Sequence, residues 1–130
     1  MATTSAMQGC RHPECDANVI GGPGHEVLVM LSDKWVTLIV SALAGGPRRH
    51  SELARTVHGA TRKMLTQTLR KLERNGLVTR TVTPSVPPRV DYELTRLGRS
   101  LLPHQRALKS WAESNIETIY AARERYDAGQ

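Results

Sequence analysis

The sequence predicts a mainly α protein with a small β-hairpin, an α+β fold, and three observations predict it. Residues 60–76 carry Leu65, Leu69 and Leu72 at helical spacing, between a capping Thr61 and an Asn75-Gly76 stop. A short helical segment and a glycine turn, His58-Gly59-Ala60, stand directly before them. After Gly76 the apolar period changes to two, over two segments joined by Pro84-Ser-Val-Pro87-Pro88. Short helix, turn, basic helix and hairpin is the order of a winged helix-turn-helix, here followed by a terminal helix suited to dimerisation.

In chain order, residues 1–22 read as a mobile N-terminal arm without sustained periodicity. The arm holds Cys10 and Cys15, with Arg11 and His12 near enough in sequence to lower a thiol pKa, so a thiol switch is one reading. A zinc reading would recruit His12 and His25 to reach four ligands, and two cysteines without a function is the plain alternative; no metal site is expected. Residues 23–31 fit a short helix. Asp33 caps a second over 34–44, with Trp35, Leu38, Ile39, Ala42 and Leu43 as its core stripe. Gly45-Gly46-Pro47 ends it, and a brief edge strand fits at Arg48-Arg49. His50 or Ser51 then caps a helix over 51–57 that turns Leu53, Ala54 and Val57 inward. The adjacent His50-Ser51-Glu52 is no catalytic trio, because consecutive helical residues point in different directions.

On the helix over 60–76, Lys63, Thr66, Gln67, Arg70, Lys71 and Arg74 lie away from the leucine stripe, at about 100° per residue. Charge supports a polyanion partner. The chain's net charge is +6, but residues 48–80 hold nine Lys/Arg against two acids, a net +7, and the remainder is −1. In the hairpin, Val90, Tyr92 and Leu94 alternate with Arg89, Asp91 and Glu93, and Arg80 and Arg89 stand where a wing meets phosphate. Thr95 caps the last helix, whose apolar positions Leu97, Leu101, Leu108, Trp111, Ala112 and Ile119 continue to about residue 125, with a kink expected at Pro103. That is too long for one small core to cover, so a second copy is the expected partner. Leu108, Trp111, Ile116, Ile119 and Tyr120 are the expected dimer interface, assisted by Leu28 and Leu31. The alternative is that this helix folds back over its own domain. The expected organisation is therefore an arm over 1–22, a winged helix-turn-helix DNA-binding domain over 23–100 and a C-terminal dimerisation helix over 101–130.

Several runs together carry a family resemblance. They are Asp33-Lys-Trp35, Gly46-Pro47-Arg48, Ser51-Glu-Leu53, Lys63-Met-Leu65-Thr-Gln67-Thr-Leu69-Arg70, Leu72-Glu73, Asn75-Gly-Leu-Val78, Val86-Pro-Pro-Arg-Val90, Tyr92 and Leu94-Thr95-Arg-Leu-Gly98-Arg-Ser-Leu101. The chain resembles the HxlR family of bacterial winged-helix transcriptional regulators, related to the MarR group, over residues 23–111. The resemblance implies a homodimer held by terminal helices, with recognition helices in successive major grooves and wings on the flanks. It also implies control of nearby genes in answer to electrophiles, oxidants or small molecules. Thiol-sensing members carry a Cys-Pro about thirteen residues before the tryptophan; this chain has Gly22-Pro23 there, so sensing does not carry over by position.

The function expected is a cytoplasmic, homodimeric regulator of transcription, a repressor on an inverted repeat in double-stranded DNA. Arg62, Lys63, Thr66, Gln67 and Arg70 are expected in the major groove, and Arg48, Arg49, Lys71, Arg74, Arg80 and Arg89 on phosphates. A small-molecule effector would sit between the dimer helices and the winged domain, near Trp35, Trp111 or Met30. The alternative is a winged-helix protein-interaction module without specific DNA binding. No catalytic motif, cofactor motif or membrane-spanning segment is present in the sequence.

Overall fold

The computed structural model describes residues 21–129, so Cys10, Cys15 and nearly all of the arm expected over 1–22 lie outside the described residues. Helix α1, Gly22–Leu31, opens with a proline in its first turn, where a missing N–H breaks no helical bond. It buries no residue completely, but Met30 and Leu31 rest on the edge of the core. Helix α2, Lys34–Ala42, is capped as expected: the Asp33 carboxylate accepts the Trp35 N–H at 2.8 Å. Its core face, however, is Val36, Ile39, Val40 and Leu43, all fully buried, while Trp35 is half-buried and Leu38 exposed. The expected stripe and the observed one share Ile39 and Leu43 and differ by roughly a quarter turn of a helix in which six of nine residues are apolar. Trp35 instead packs at the turn, its ring 3.6 Å from where a Cβ on Gly59 would stand.

Strand β1 is Arg48–Arg49, and helix α3 is His50–Thr56. The cap position of α3 is Arg49, one residue before the sequence expectation, because the Glu52 carboxylate reaches back to accept the Arg49 N–H at 3.1 Å. His50 is thus the first helical residue. Leu53 and Val57 are buried as expected, and Ala54 is exposed. Gly59 takes a positive φ of 88° in the turn that follows. Helix α4, Arg62–Arg74, begins where the Thr61 hydroxyl accepts the Met64 N–H at 3.1 Å and ends at Asn75, with Gly76 at φ 75°. Leu65, Thr68, Leu69 and Leu72 are its buried face, and the one polar member is satisfied by donating to the Met64 carbonyl at 2.8 Å.

Strands β2, Val78–Thr83, and β3, Arg89–Leu94, form the hairpin, and β1 adds to the far edge of β3 to give an antiparallel sheet ordered β1-β3-β2. Val78 lies opposite Leu94, and Arg48 opposite Tyr92. Val78, Tyr92 and Leu94 seal the core at the base, while the outer half from Arg80 to Arg89 projects beyond it as a wing.

Helix α5, Arg96–Ala128, is 33 residues, roughly 50 Å of continuous helix that includes Pro103 and runs across the expected boundary at residue 100. It is anchored at its start. The Thr95 hydroxyl accepts the Gly98 N–H at 3.1 Å and donates to the Gly76 carbonyl at 2.6 Å, while the Leu77 carbonyl accepts the Thr95 N–H at 3.0 Å. Only Gly98 and Leu102 are buried, and Leu97, expected in the stripe, is exposed, because the close approach of Gly98 to the Leu77 carbonyl, just before β2, decides which way the helix faces. Gln105 still meets the domain, its Oε1 accepting from the Ser41 hydroxyl at 3.5 Å, and beyond it most side chains of α5 are exposed. Among the described residues no helix is both long and apolar enough to cross a membrane.

A Cβ on Gly98 would overlap the Leu77 carbonyl oxygen, which is backbone and cannot swing away. Gly98→Ala is expected to destabilise the fold by about 1–3 kcal/mol, read from the urea midpoint. A midpoint equal to that of the parent would show that α5 does not dock through this contact.

Candidate nucleic-acid interface

Helix α4 sorts its side chains by period. With Leu65, Leu69 and Leu72 inward, Lys63, Gln67, Arg70 and Arg74 cluster around the opposite direction, Arg62 and Thr66 lie on one flank and Lys71 on the other. Arg62, Lys63, Gln67, Arg70, Lys71 and Arg74 are exposed, and Thr66 is half-buried. Among the described residues no ion pair engages the cations of this helix. The rod is roughly 20 Å long and exposed along its length, dimensions that suit a major groove about 12 Å wide.

The other expected phosphate ligands stand around it. Arg48 and Arg49 both reach Glu52, each at 3.7 Å, and Arg89 pairs with Asp91 at 3.1 Å; Arg80 is exposed on the wing. These are exposed pairs, worth at most about 1 kcal/mol each, so a phosphate can displace the carboxylate. A groove brings three elements together: Arg49, His50 and Ser51 from the start of α3, Arg62 from α4, and Pro87 and Arg89 from the wing. Cations distant in sequence thus share one concavity, although Arg70, Lys71, Arg74 and Arg80 do not line it.

The apolar residues expected to meet a second copy are uncovered in the single chain. Leu28, Leu108, Trp111, Ile116 and Tyr120 are exposed, and Leu31 and Ile119 are half-buried. Leu28, Leu31 and Leu108 line one groove with Leu101, His104 and Gln105, where α1 meets α5. A neighbouring groove includes Met30 with Leu77, Leu97 and Leu101, and neither is lined by Trp35 or Trp111. His25, on α1, is exposed.

His50, expected as a cap of α3, belongs to this region as well. Its Nε2 lies 3.0 Å from the Thr66 hydroxyl oxygen, joining the first helix of the helix-turn-helix to the second. Burial, and then the charge of Arg62, hold its pKa below the ordinary 6.5. No local pattern connects residues sixteen apart, so the bond had no sequence signal.

The model of the HxlR-like helix-turn-helix family matches residues 30–120. An uncharacterised HTH-type transcriptional regulator of Escherichia coli (strain K12), YtfH, is 40% identical over 102 residues, which is 78% of this chain and 81% of that one. The solved structure of a putative transcriptional regulator ytfH from Salmonella typhimurium superposes with a TM-score of 0.71 at 41% identity, covering 78% of this chain and 91% of that one. The redox regulator HypR in its reduced form gives a TM-score of 0.71 at 36% identity, covering 77% of this chain and 99% of that one. The family and the two ytfH relatives are regulators of transcription.

The fold favours neutral His50, so on acidification the unfolded chain takes up this proton first. The stability that the neutral ring contributes is complete above pH 6.5 and is lost as pH falls through the lowered value. Urea midpoints measured from pH 8 to pH 5 are expected to fall less steeply below about 6.5 in His50→Gln than in the parent. Equal slopes would contradict the assignment.

Proposed function

This chain belongs to the HxlR-like helix-turn-helix family, a family of transcriptional regulators, and we propose that it represses transcription as a homodimer bound to an inverted repeat in double-stranded DNA. The observation that carries this reading is the outward face of α4: an exposed rod of Lys63, Gln67, Arg70 and Arg74, flanked by a cationic groove that continues onto the wing. Lys63, Gln67 and Arg70, with Arg62 and Thr66 on the flank, read base edges in the major groove. Arg48, Arg49, Lys71, Arg74, Arg80 and Arg89 hold phosphates and supply the sequence-independent part of the affinity. Exposed Leu108, Trp111, Ile116 and Tyr120, with Ile119, Leu28 and Leu31, are the surface that a second copy covers. Two-fold symmetry then spaces the half-sites by about one duplex turn, roughly 10 bp.

The test is a mobility-shift titration against the DNA upstream of the chain's own gene, with the dimer mass checked by sedimentation. Gln67→Ala and Arg70→Ala are expected to narrow the gap between operator and unrelated DNA, by about 1–3 kcal/mol if the pairing with the base is bidentate. Arg80→Ala and Arg89→Ala are expected to weaken all sequences alike and to reduce the salt slope by about 1 for each phosphate no longer neutralised. Absence of salt-sensitive binding would leave the protein-interaction reading in its place, and a monomeric mass at working concentrations would remove the two-fold operator.

For the signal, we propose Cys10 and Cys15 as the thiols that respond, on the ground that Arg11 and His12 stand beside them in sequence; the resemblance does not supply them by position. Diamide is expected to lower operator affinity in the parent and to leave Cys10→Ser or Cys15→Ser unaffected. A parent indifferent to diamide would shift the assignment to a small apolar effector in the grooves between α1 and α5.

A further inference from the structure

We propose that His50 is a specificity-determining positioning residue: through its hydrogen bond it fixes the direction of the Thr66 hydroxyl, and so what the flank of the recognition helix offers to a base edge. The inference rests on the DNA-binding reading above and assigns a role within it.

Threonines inside helices usually turn their hydroxyl back to the carbonyl four residues earlier. This chain does so at Thr37, onto Asp33 at 3.3 Å, at Thr56, onto Glu52 at 2.9 Å, and at Thr68, onto Met64 at 2.8 Å. Thr66 bonds sideways instead, across the interhelical gap to His50 Nε2 at 3.0 Å. It sits between Lys63, Gln67 and Arg70, about 80° from the most outward direction of α4 and half-exposed, so one side of the hydroxyl meets His50 and the other meets whatever lies along the helix.

A hydroxyl has one proton and two lone pairs. If it donates to Nε2, both lone pairs face outward and accept from the amino group of adenine or cytosine. If it accepts from Nε2–H, its own proton and one lone pair face outward, and it can both donate to purine N7, guanine O6 or thymine O4 and accept from an amino group. An unanchored threonine serves both kinds of base edge by rotating; one that donates to His50 can only accept, so an unprotonated Nε2 restricts it to one kind. The Thr66 methyl is held in the same way, so its approach to a thymine methyl is fixed as well. A neutral ring suits this work, because it adds no charge beside the Arg49, Arg62 and Arg89 that line the same groove.

Random-sequence duplexes carried through rounds of selection with the full chain, then with His50→Phe, His50→Gln, Thr66→Val and the double variant His50→Phe/Thr66→Val, test the assignment. The parent is expected to enrich one base pair per half-site that His50→Phe no longer prefers, with that preference falling about fivefold, the worth of one hydrogen bond of about 1 kcal/mol. His50→Gln, whose terminal amide can place either its nitrogen or its oxygen where Nε2 stands, is expected to retain the preference. Thr66→Val is expected to lose it at the same position, with no further loss in the double variant. A role confined to bracing the two helices would lower affinity for all sequences and the melting temperature without changing the enriched sequence. An unchanged profile in His50→Phe, or an even loss at every position, overturns the proposal. Should His50→Phe melt far below the parent, Thr66→Val and His50→Gln decide it, since a parent-like profile in Thr66→Val overturns it equally. A parent that enriches nothing would instead remove the DNA-binding reading itself, a failure visible before any variant is compared.

Discussion

Leu65, Leu69 and Leu72 are buried to 1% exposure or less, and this single fact orients the helix that carries the candidate site. Burial of each leucine contributes about 1.5–3 kcal/mol, so the three together rival the whole stability of a small domain, about 5–15 kcal/mol. Turning α4 by half a revolution would expose them and drive Lys63, Arg70 and Arg74 into the core without partners. No other arrangement competes. The outward cationic face is therefore a by-product of packing, and α2, the sheet base and the start of α5 are the walls that enforce it.

Electrostatics alone would not hold the remaining cations in place. Glu52 steadies Arg48 and Arg49 while its carboxylate also bonds the Arg49 N–H, so one acid organises both the start of α3 and the cations beside it. Asp91 does the same for Arg89 on the wing. In exposed positions these contacts limit where a flexible guanidinium wanders and give way readily to a stronger anion.

What the sequence made legible was local. Asp33, Thr61 and Thr95 announce helix starts through bonds that span two or three residues, and Gly76 and the prolines between the strands punctuate just as locally. The residues on the outer face of α4 followed from period alone, because its apolar and charged positions separate cleanly. In α2 six of nine residues are apolar, two overlapping stripes fit the same period, and the choice of Val36 and Val40 over Trp35 and Leu38 was made by neighbours distant in sequence. Ala54 and Leu97 failed for the related reason that a small or terminal apolar residue is placed by the helix next to it. The bond from His50 to Thr66 and the convergence of Arg49, Arg62 and Arg89 on one groove are properties of the assembled fold, without a periodic signature.

The anchoring of α5 at one end makes it a lever arm. Its fulcrum is the Thr95 hydroxyl, bonded at once to Gly98 and to the Gly76 carbonyl at the exit of α4. With a rise of 1.5 Å per residue, a tilt of about 5° at that pivot sweeps the far tip by roughly 4 Å. Gearing of this kind works in both directions: a modest rearrangement among the distal turns is delivered to Gly76 as a small rotation, and in the proposed dimer a rigid grip on the tips holds both fulcra, and the distance between them, constant.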